Sequence, residues 1–185
     1  MKCQLEYLTM NRKILFQTSR FEVVEETVSD NFDIKKIYTF VEKRDGVGII
    51  ARKNSSILLL EQYRHVVRER LLEIPGGRIE DGEEPKQAAI RELEEETGYH
   101  TNNLTLVLTY FPLPSITNER VFVYYTDDLT EGASLTDSSE RDLVHIFTKI
   151  NELPQLLKER RFASAGDAFS IYTFLHREFP HLLSN

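Results

Sequence analysis

The chain predicts a mixed α/β fold, a largely antiparallel or mixed sheet with helices packed on it. Three observations carry this. Short, nearly continuous apolar runs at Gly46–Ala51 and Ser56–Tyr63 suit strands buried on both faces, and Leu104–Thr109 and Val121–Thr126 read as further strands. A segment with helical start and stop signals, Pro85–Gly98, stands between them. A second amphipathic stretch closes the chain, with Phe169, Tyr172, Phe174 and Leu175 offered as its apolar face.

Residues 14–28, ILFQTSRFEVVEETV, are rich in β-branched and aromatic side chains and predict one or two strands. Asp33–Glu42 follows with partial alternation. Arg52–Ser55 falls between two apolar runs and suits a hairpin turn. Gln62–Arg70 leads into Leu71–Pro75, where an apolar segment meets a proline and paired glycines, the mark of a strand end or loop. Beyond the central helix, Thr130–Asp142 is acidic and rich in Ser and Thr and predicts a loop before a short strand, Val144–Phe147. Asn151 is placed to cap a helix through Arg160, and Asp167 to cap the last one.

At 185 residues the chain is long enough for a sizeable core. Its hydrophobic and charged fractions, 41% and 29%, are ordinary for a globular protein. A net charge of −7 argues against a nucleic-acid binder, which needs clustered Lys and Arg. Cys3 is the only cysteine, so no internal disulfide forms and a reducing, cytoplasmic setting fits. No apolar run approaches a membrane span, and the first residues lack the apolar core of a signal peptide.

The central helix breaks two local rules. Glu92 and Glu96 sit four apart on one face with Glu95 beside them, and like charges at that spacing repel. Acidic groups near a helix C-terminus also oppose its dipole. A solvated acidic face has this pattern. So does a site where a hard divalent cation draws carboxylates together, since Mg²⁺ prefers oxygen ligands. Glycines at 76 and 77 permit close backbone approach and offer a carbonyl oxygen to a metal.

Gly77, Glu83, then Arg91-Glu92-Leu93-Glu94-Glu95-Glu96-Thr97-Gly98-Tyr99 resembles the Nudix hydrolase signature at every defining position. The resemblance implies a Nudix-like α/β/α sandwich with a mixed sheet, the signature forming a loop-helix-loop. It implies Mg²⁺, with Mn²⁺ as a substitute, held by Glu92, Glu95, Glu96 and the Gly76 carbonyl. Glu83 and Arg91 resemble a bracing pair, and Gly77 and Gly98 structural positions of the motif.

Two flanks narrow the resemblance to the ADP-ribose and nucleoside-diphosphate-sugar pyrophosphatases. Gln62-Tyr63-Arg64 is similar to that subfamily's Gln-x-Arg, and the loop containing Pro114, Thr117, Glu119 and Arg120 to its proline-containing loop. Ser115-Ile116 departs from the glycine usual there. The implied substrate-binding residues are Arg64, Glu73, Pro114, Glu119 and Phe40. Arg64 alternatively forms a surface ion pair, and core packing competes with base stacking for Phe40. Arginine suits a diphosphate because its planar fork makes two parallel charge-assisted bonds.

Glu140, the only glutamate in the window 135–142, occupies the position of the loop residue that serves as base or last metal ligand; Ser138 stands where a second acid is usual. The implied reaction releases a nucleoside monophosphate and a sugar phosphate. GDP-mannose hydrolysis, triphosphate house-cleaning and a non-catalytic nucleotide-sugar sensor are the rival readings. Residues 1–40 are expected as N-terminal strands that pair two subunits into a homodimer, and 41–185 as the hydrolase domain.

Overall fold

In the computed structural model, which describes residues 7–132 and 143–184, the strands are β1 (Tyr7–Gln17), β2 (Glu22–Asp30), β3 (Lys35–Glu42), β4 (Gly46–Lys53), β5 (Ser56–Arg64), β6 (Glu69–Glu73), β7 (Gly76–Arg78), β8 (Tyr99–His100), β9 (Thr105–Tyr110), β10 (Val121–Thr126), β11 (Thr130–Glu131) and β12 (Val144–Lys149). The helices are α1 (Pro85–Thr97), α2 (Leu153–Lys158) and α3 (Ala165–Glu178). Described residues through Arg44, with Phe111–Arg120, form one compact unit; Asp45–Tyr110 and the described residues from Val121 on form a second.

The first unit is an antiparallel sheet, β1-β2-β3. Thr18 turns the first hairpin by accepting the amides of Arg20 and Phe21 on its hydroxyl. Asp30 turns the second by accepting the amides of Phe32 and Ile34, with Asp33 at φ +59°. The loop before β10 is fastened to the end of β3. The Val41 amide donates to the Ile116 carbonyl at 2.7 Å, the Lys43 amide to Asn118 Oδ1 at 2.9 Å, and Lys43 Nζ to Glu119 at 2.6 Å. Leu8, Met10, Phe16, Phe32 and Ile37 of this unit are exposed.

The second unit is built on the sheet β12-β5-β4-β10-β9, with β6 on β5 and β7 on β4. It is mixed, because β10 runs parallel to β4 while the other pairs are antiparallel. Side-chain alternation sends the two faces of β4, β5 and β10 to different layers. Val47, Ile49, Ala51, Leu58 and Tyr124 pack with Ala88, Ala89 and Leu93 of α1. Ile50, Ile57, Leu59 and Val123 pack with Leu153 and with Ile171, Phe174 and Leu175 of α3. The unit is therefore the expected α/β/α sandwich. The β4–β5 turn closes at Asn54–Ser55, Asn54 taking φ +58°, a conformation asparagine tolerates.

Four expectations change. Asn151 caps nothing: it lies in a short 3₁₀ turn, Ile150–Glu152, ahead of α2. Asp167 is not the cap of α3; Ser164 is, its hydroxyl accepting the Asp167 amide at 2.9 Å. Phe169 and Tyr172 are 52% and 48% exposed, so only Ile171, Phe174 and Leu175 of α3 enter the core. Thr130–Glu131 also leaves the expected loop to pair with Tyr99–His100.

Candidate active site

The acidic helix forms where local chemistry predicts. Pro85 takes the first turn, where its missing N–H costs nothing. Gly98 ends it at φ +70°, donating to the Glu94 carbonyl at 2.9 Å. Ala88, Ala89, Leu93 and Thr97 are buried, which turns the glutamates away from the core.

Arg91 organises those glutamates. Its guanidinium makes a forked pair with Glu83 (2.9 and 3.0 Å) and donates to Glu92 (2.9 Å), Glu95 (3.0 Å) and the Arg78 carbonyl (3.0 Å). Glu83 also accepts the Glu80 amide at 3.0 Å. The Arg91 bonds hold the Glu83 carboxyl below its ordinary value, and Glu83 in turn raises Arg91. The brace thus ties the loop before the helix to the helix itself and reaches two of the acids besides.

The glycine pair backs the other side. Gly76 lies opposite Gly48 in the β4–β7 ladder. A Cβ there would strike the Val47 carbonyl oxygen and stand 2.9 Å from the Gly48 Cα. At Gly77 the space a Cβ would fill holds the Glu92 carboxylate, with Oε2 2.5 Å from where it would sit. The Gly76 amide donates to Glu96 Oε2 at 2.7 Å. His145 on β12 donates from Nε2 to the Glu96 carbonyl at 2.6 Å, satisfying one of the free carbonyls at the helix end.

Glu92, Glu95 and Glu96 therefore lie on one helix face, with Glu92 and Glu96 against the Gly76–Gly77 backbone. Their all-oxygen chemistry suits a hard divalent cation. As placed, Arg91 draws Glu92 and Glu95 toward itself while the Gly76 amide holds Glu96. Among the described residues no three acidic, His or Cys side chains already converge on one point.

Residues 42–166 match the NUDIX domain model. The chain belongs to the Nudix hydrolases. It is 31% identical over 140 residues to a methanol dehydrogenase activator of Bacillus methanolicus, covering 73% of this chain and 75% of that one. It is 31% identical over 133 residues to an ADP-ribose pyrophosphatase of Bacillus subtilis, covering 71% and 72%. A crystal structure of an ADP compounds hydrolase superposes at a TM-score of 0.80 over 94% of this chain and 96% of that one; at 21% identity the likeness is one of fold.

The remaining expected Nudix residues divide between the two units. Arg64 and Glu73 belong to the second and form a bidentate ion pair between β5 and β6. Phe40, Pro114 and Glu119 belong to the first. Phe40 is partly exposed on β3, Pro114 is exposed, and Glu119 is paired with Lys43. Glu140 lies outside the described residues. Sequence reasoning missed His145, whose contact with α1 is made only by folding, and Ser164, although Ser164-x-x-Asp167 has the spacing of a helix-start motif.

Proposed function

We propose that this Nudix hydrolase cleaves the diphosphate bond of a nucleoside diphosphate sugar, with ADP-ribose preferred, giving a nucleoside monophosphate and a sugar phosphate. The observation that carries the reading is the set of three carboxylates on α1: Arg91 braces Glu92 and Glu95, the Gly76 amide holds Glu96, and Gly77 leaves room for Glu92. The relative named as an ADP-ribose pyrophosphatase supports the substrate class.

Glu92, Glu95, Glu96 and the Gly76 carbonyl would hold Mg²⁺ or Mn²⁺. When bound, such an ion offsets phosphate charge, polarises a phosphoryl oxygen and lowers the pKa of water. Arg64 presents a guanidinium fork to the diphosphate, and Glu73 orients that fork. Phe40, Pro114 and Glu119 contribute to recognising the base and sugar. Glu140 accepts the proton from the attacking water or completes the acidic set. The unit β1-β2-β3 pairs two copies: its exposed Leu8, Met10, Phe16, Phe32 and Ile37 are the apolar surface such a contact covers. The site of action is the cytoplasm.

The test is release of nucleoside monophosphate from ADP-ribose, GDP-mannose, other nucleoside diphosphate sugars and a nucleoside triphosphate, each with Mg²⁺, by the wild type and by Glu96→Gln. Hydrolysis of ADP-ribose by the wild type, with most of kcat lost in the variant while the fold is kept, is expected. Near wild-type turnover by Glu96→Gln overturns the assignment of the acids. Binding without cleavage of any compound replaces the enzyme reading with a sensor.

A further inference from the structure

A third charged group, Asp167, acts electrostatically on both members of the Arg64–Glu73 pair. Asp167 stands in the first turn of α3, and burial pushes its carboxyl up to about 6. It accepts the Ser164 hydroxyl at 2.6 Å and a hydrogen bond from the Ile74 backbone amide. The charged groups facing it are Glu73 on β6, which raises it, and Arg64 on β5, which lowers it. Glu96 on α1 acts on Arg64 in turn.

Helix capping does not require this carboxylate. The Ser164 hydroxyl caps α3 by accepting the amide of residue 167, which any residue but proline supplies. The Asp167 side chain instead turns toward Ile74, at the head of the segment that backs the acids. The Pro75 carbonyl of that segment accepts the Ile49 amide at 2.7 Å, the Gly76 amide holds Glu96, and Gly77 lies against Glu92. A partly buried carboxylate that accepts a strand-end amide and faces the charge of Arg64 holds that amide in place.

We infer that Asp167 is a positioning residue: from α3 it holds the Ile74–Gly77 segment that orients Glu92 and Glu96, and its charge adds to that of Glu73, which holds the Arg64 guanidinium. The part concerning Arg64 rests on its proposed role as the diphosphate ligand. Ionised Asp167 accepts the Ile74 amide and helps neutralise Arg64; once protonated it keeps a weaker acceptor and leaves Arg64 to Glu73 alone.

Asp167→Asn and Asp167→Ala test this on the full chain, with two readouts. One is kcat and KM for ADP-ribose with Mg²⁺ across about pH 5 to 9. The other is hydrogen exchange of the Ile74, Gly76 and Gly77 amides. The wild type is expected to lose kcat/KM on the acid side with a midpoint near the Asp167 value of about 6. Asp167→Asn, which keeps an acceptor for Ile74, should raise KM and remove that midpoint with amide exchange unchanged. Asp167→Ala should also lower kcat by about 10–100-fold and speed exchange at Ile74. Wild-type kcat, KM, pH profile and exchange in both variants overturn the inference, whatever happens to Tm. If the wild type cleaves no nucleoside diphosphate sugar, the proposed function fails, and Ile74 exchange alone then decides Asp167's hold: faster in Asp167→Ala supports it, unchanged refutes it. If Asp167→Ala does not fold, the pH profile of Asp167→Asn decides.

Discussion

Adding one methyl group to Gly76 and to Gly77 should give opposite phenotypes. At Gly76 the new Cβ meets main chain, the Val47 carbonyl and the Gly48 Cα at 2.9 Å, and main chain in a paired ladder does not swing aside. Relief means parting β7 from β4, a ladder of three residue pairs, Gly46↔Arg78, Val47↔Gly77 and Gly48↔Gly76. With about 1 kcal/mol per net hydrogen bond and overpacking strain of about 1–3 kcal/mol, Gly76→Ala should cost about 3–5 kcal/mol. For a chain of this size that is a Tm fall of roughly 6–20 °C. At Gly77 the atoms nearest the Cβ are the tip of the flexible Glu92 side chain, with Oε2 at 2.5 Å. A rotamer change relieves it, at the expense of the bond to Arg91, so stability should fall by about 1 kcal/mol. Turnover should nevertheless drop by about 10²-fold, because the displaced carboxylate leaves the acidic set. Thermal unfolding with ADP-ribose turnover measures both. Equal Tm losses in the two variants, or wild-type turnover in Gly77→Ala, would refute the account of why glycine stands at each place.

Glu140→Gln should lower kcat by about 10²–10⁴ with little change in KM; turnover within a few-fold of wild type makes Glu140 a surface residue. Arg91→Lys keeps the charge but loses the fork joining Glu83, Glu92, Glu95 and the Arg78 carbonyl, and should cost about 1–3 kcal/mol by urea unfolding. Glu83 is held below its ordinary 4.5, so its stabilisation is present above that pH and lost on acidification; Glu83→Gln should flatten acid unfolding below it. Asp167 behaves oppositely: its carboxyl is pushed from 3.8 up to about 6, so its contribution is fully present below 3.8 and lost as pH rises through about 6. Asp167→Asn should therefore gain stability relative to wild type above that pH, by up to about 3 kcal/mol, with no gain at low pH; Tm measured against pH decides. Light scattering should show a dimer that Phe16→Asp and Ile37→Glu convert to active-site-intact monomers, whereas a wild-type monomer at assay concentration defeats the pairing.

What was legible in the sequence is what neighbouring residues decide. The α1 boundaries follow from Pro85 and Gly98 because both act through their own backbone, and the β4–β5 hairpin follows from two apolar runs around a polar turn. The acids of α1 are visible for the same reason, since helical spacing alone puts them on one face. Capping failed at Asn151 and Asp167 because several cap-forming side chains stand within a few residues and tertiary packing chooses among them. The exposure of Phe169 and Tyr172 was hidden because apolar character does not say which side of α3 meets the sheet. The links from His145 to Glu96 and from Asp167 to Ile74 join residues 49 and 93 positions apart, and no local pattern encodes such meetings.

The Arg91 brace has an evolutionary consequence. Gly76, Gly77, Glu83, Arg91, Glu92, Glu95 and Glu96 lie within 21 consecutive residues, and the arginine that tethers the acids grows from the same helix they do. The acids and the arginine that tethers two of them thus lie on one short stretch of chain. The Phe111–Arg120 loop belongs to the other compact unit and is fastened there through Val41 and Lys43. Under the proposed reading, substitutions at Ser115-Ile116 would retune which compound is chosen while leaving the acids of α1 untouched.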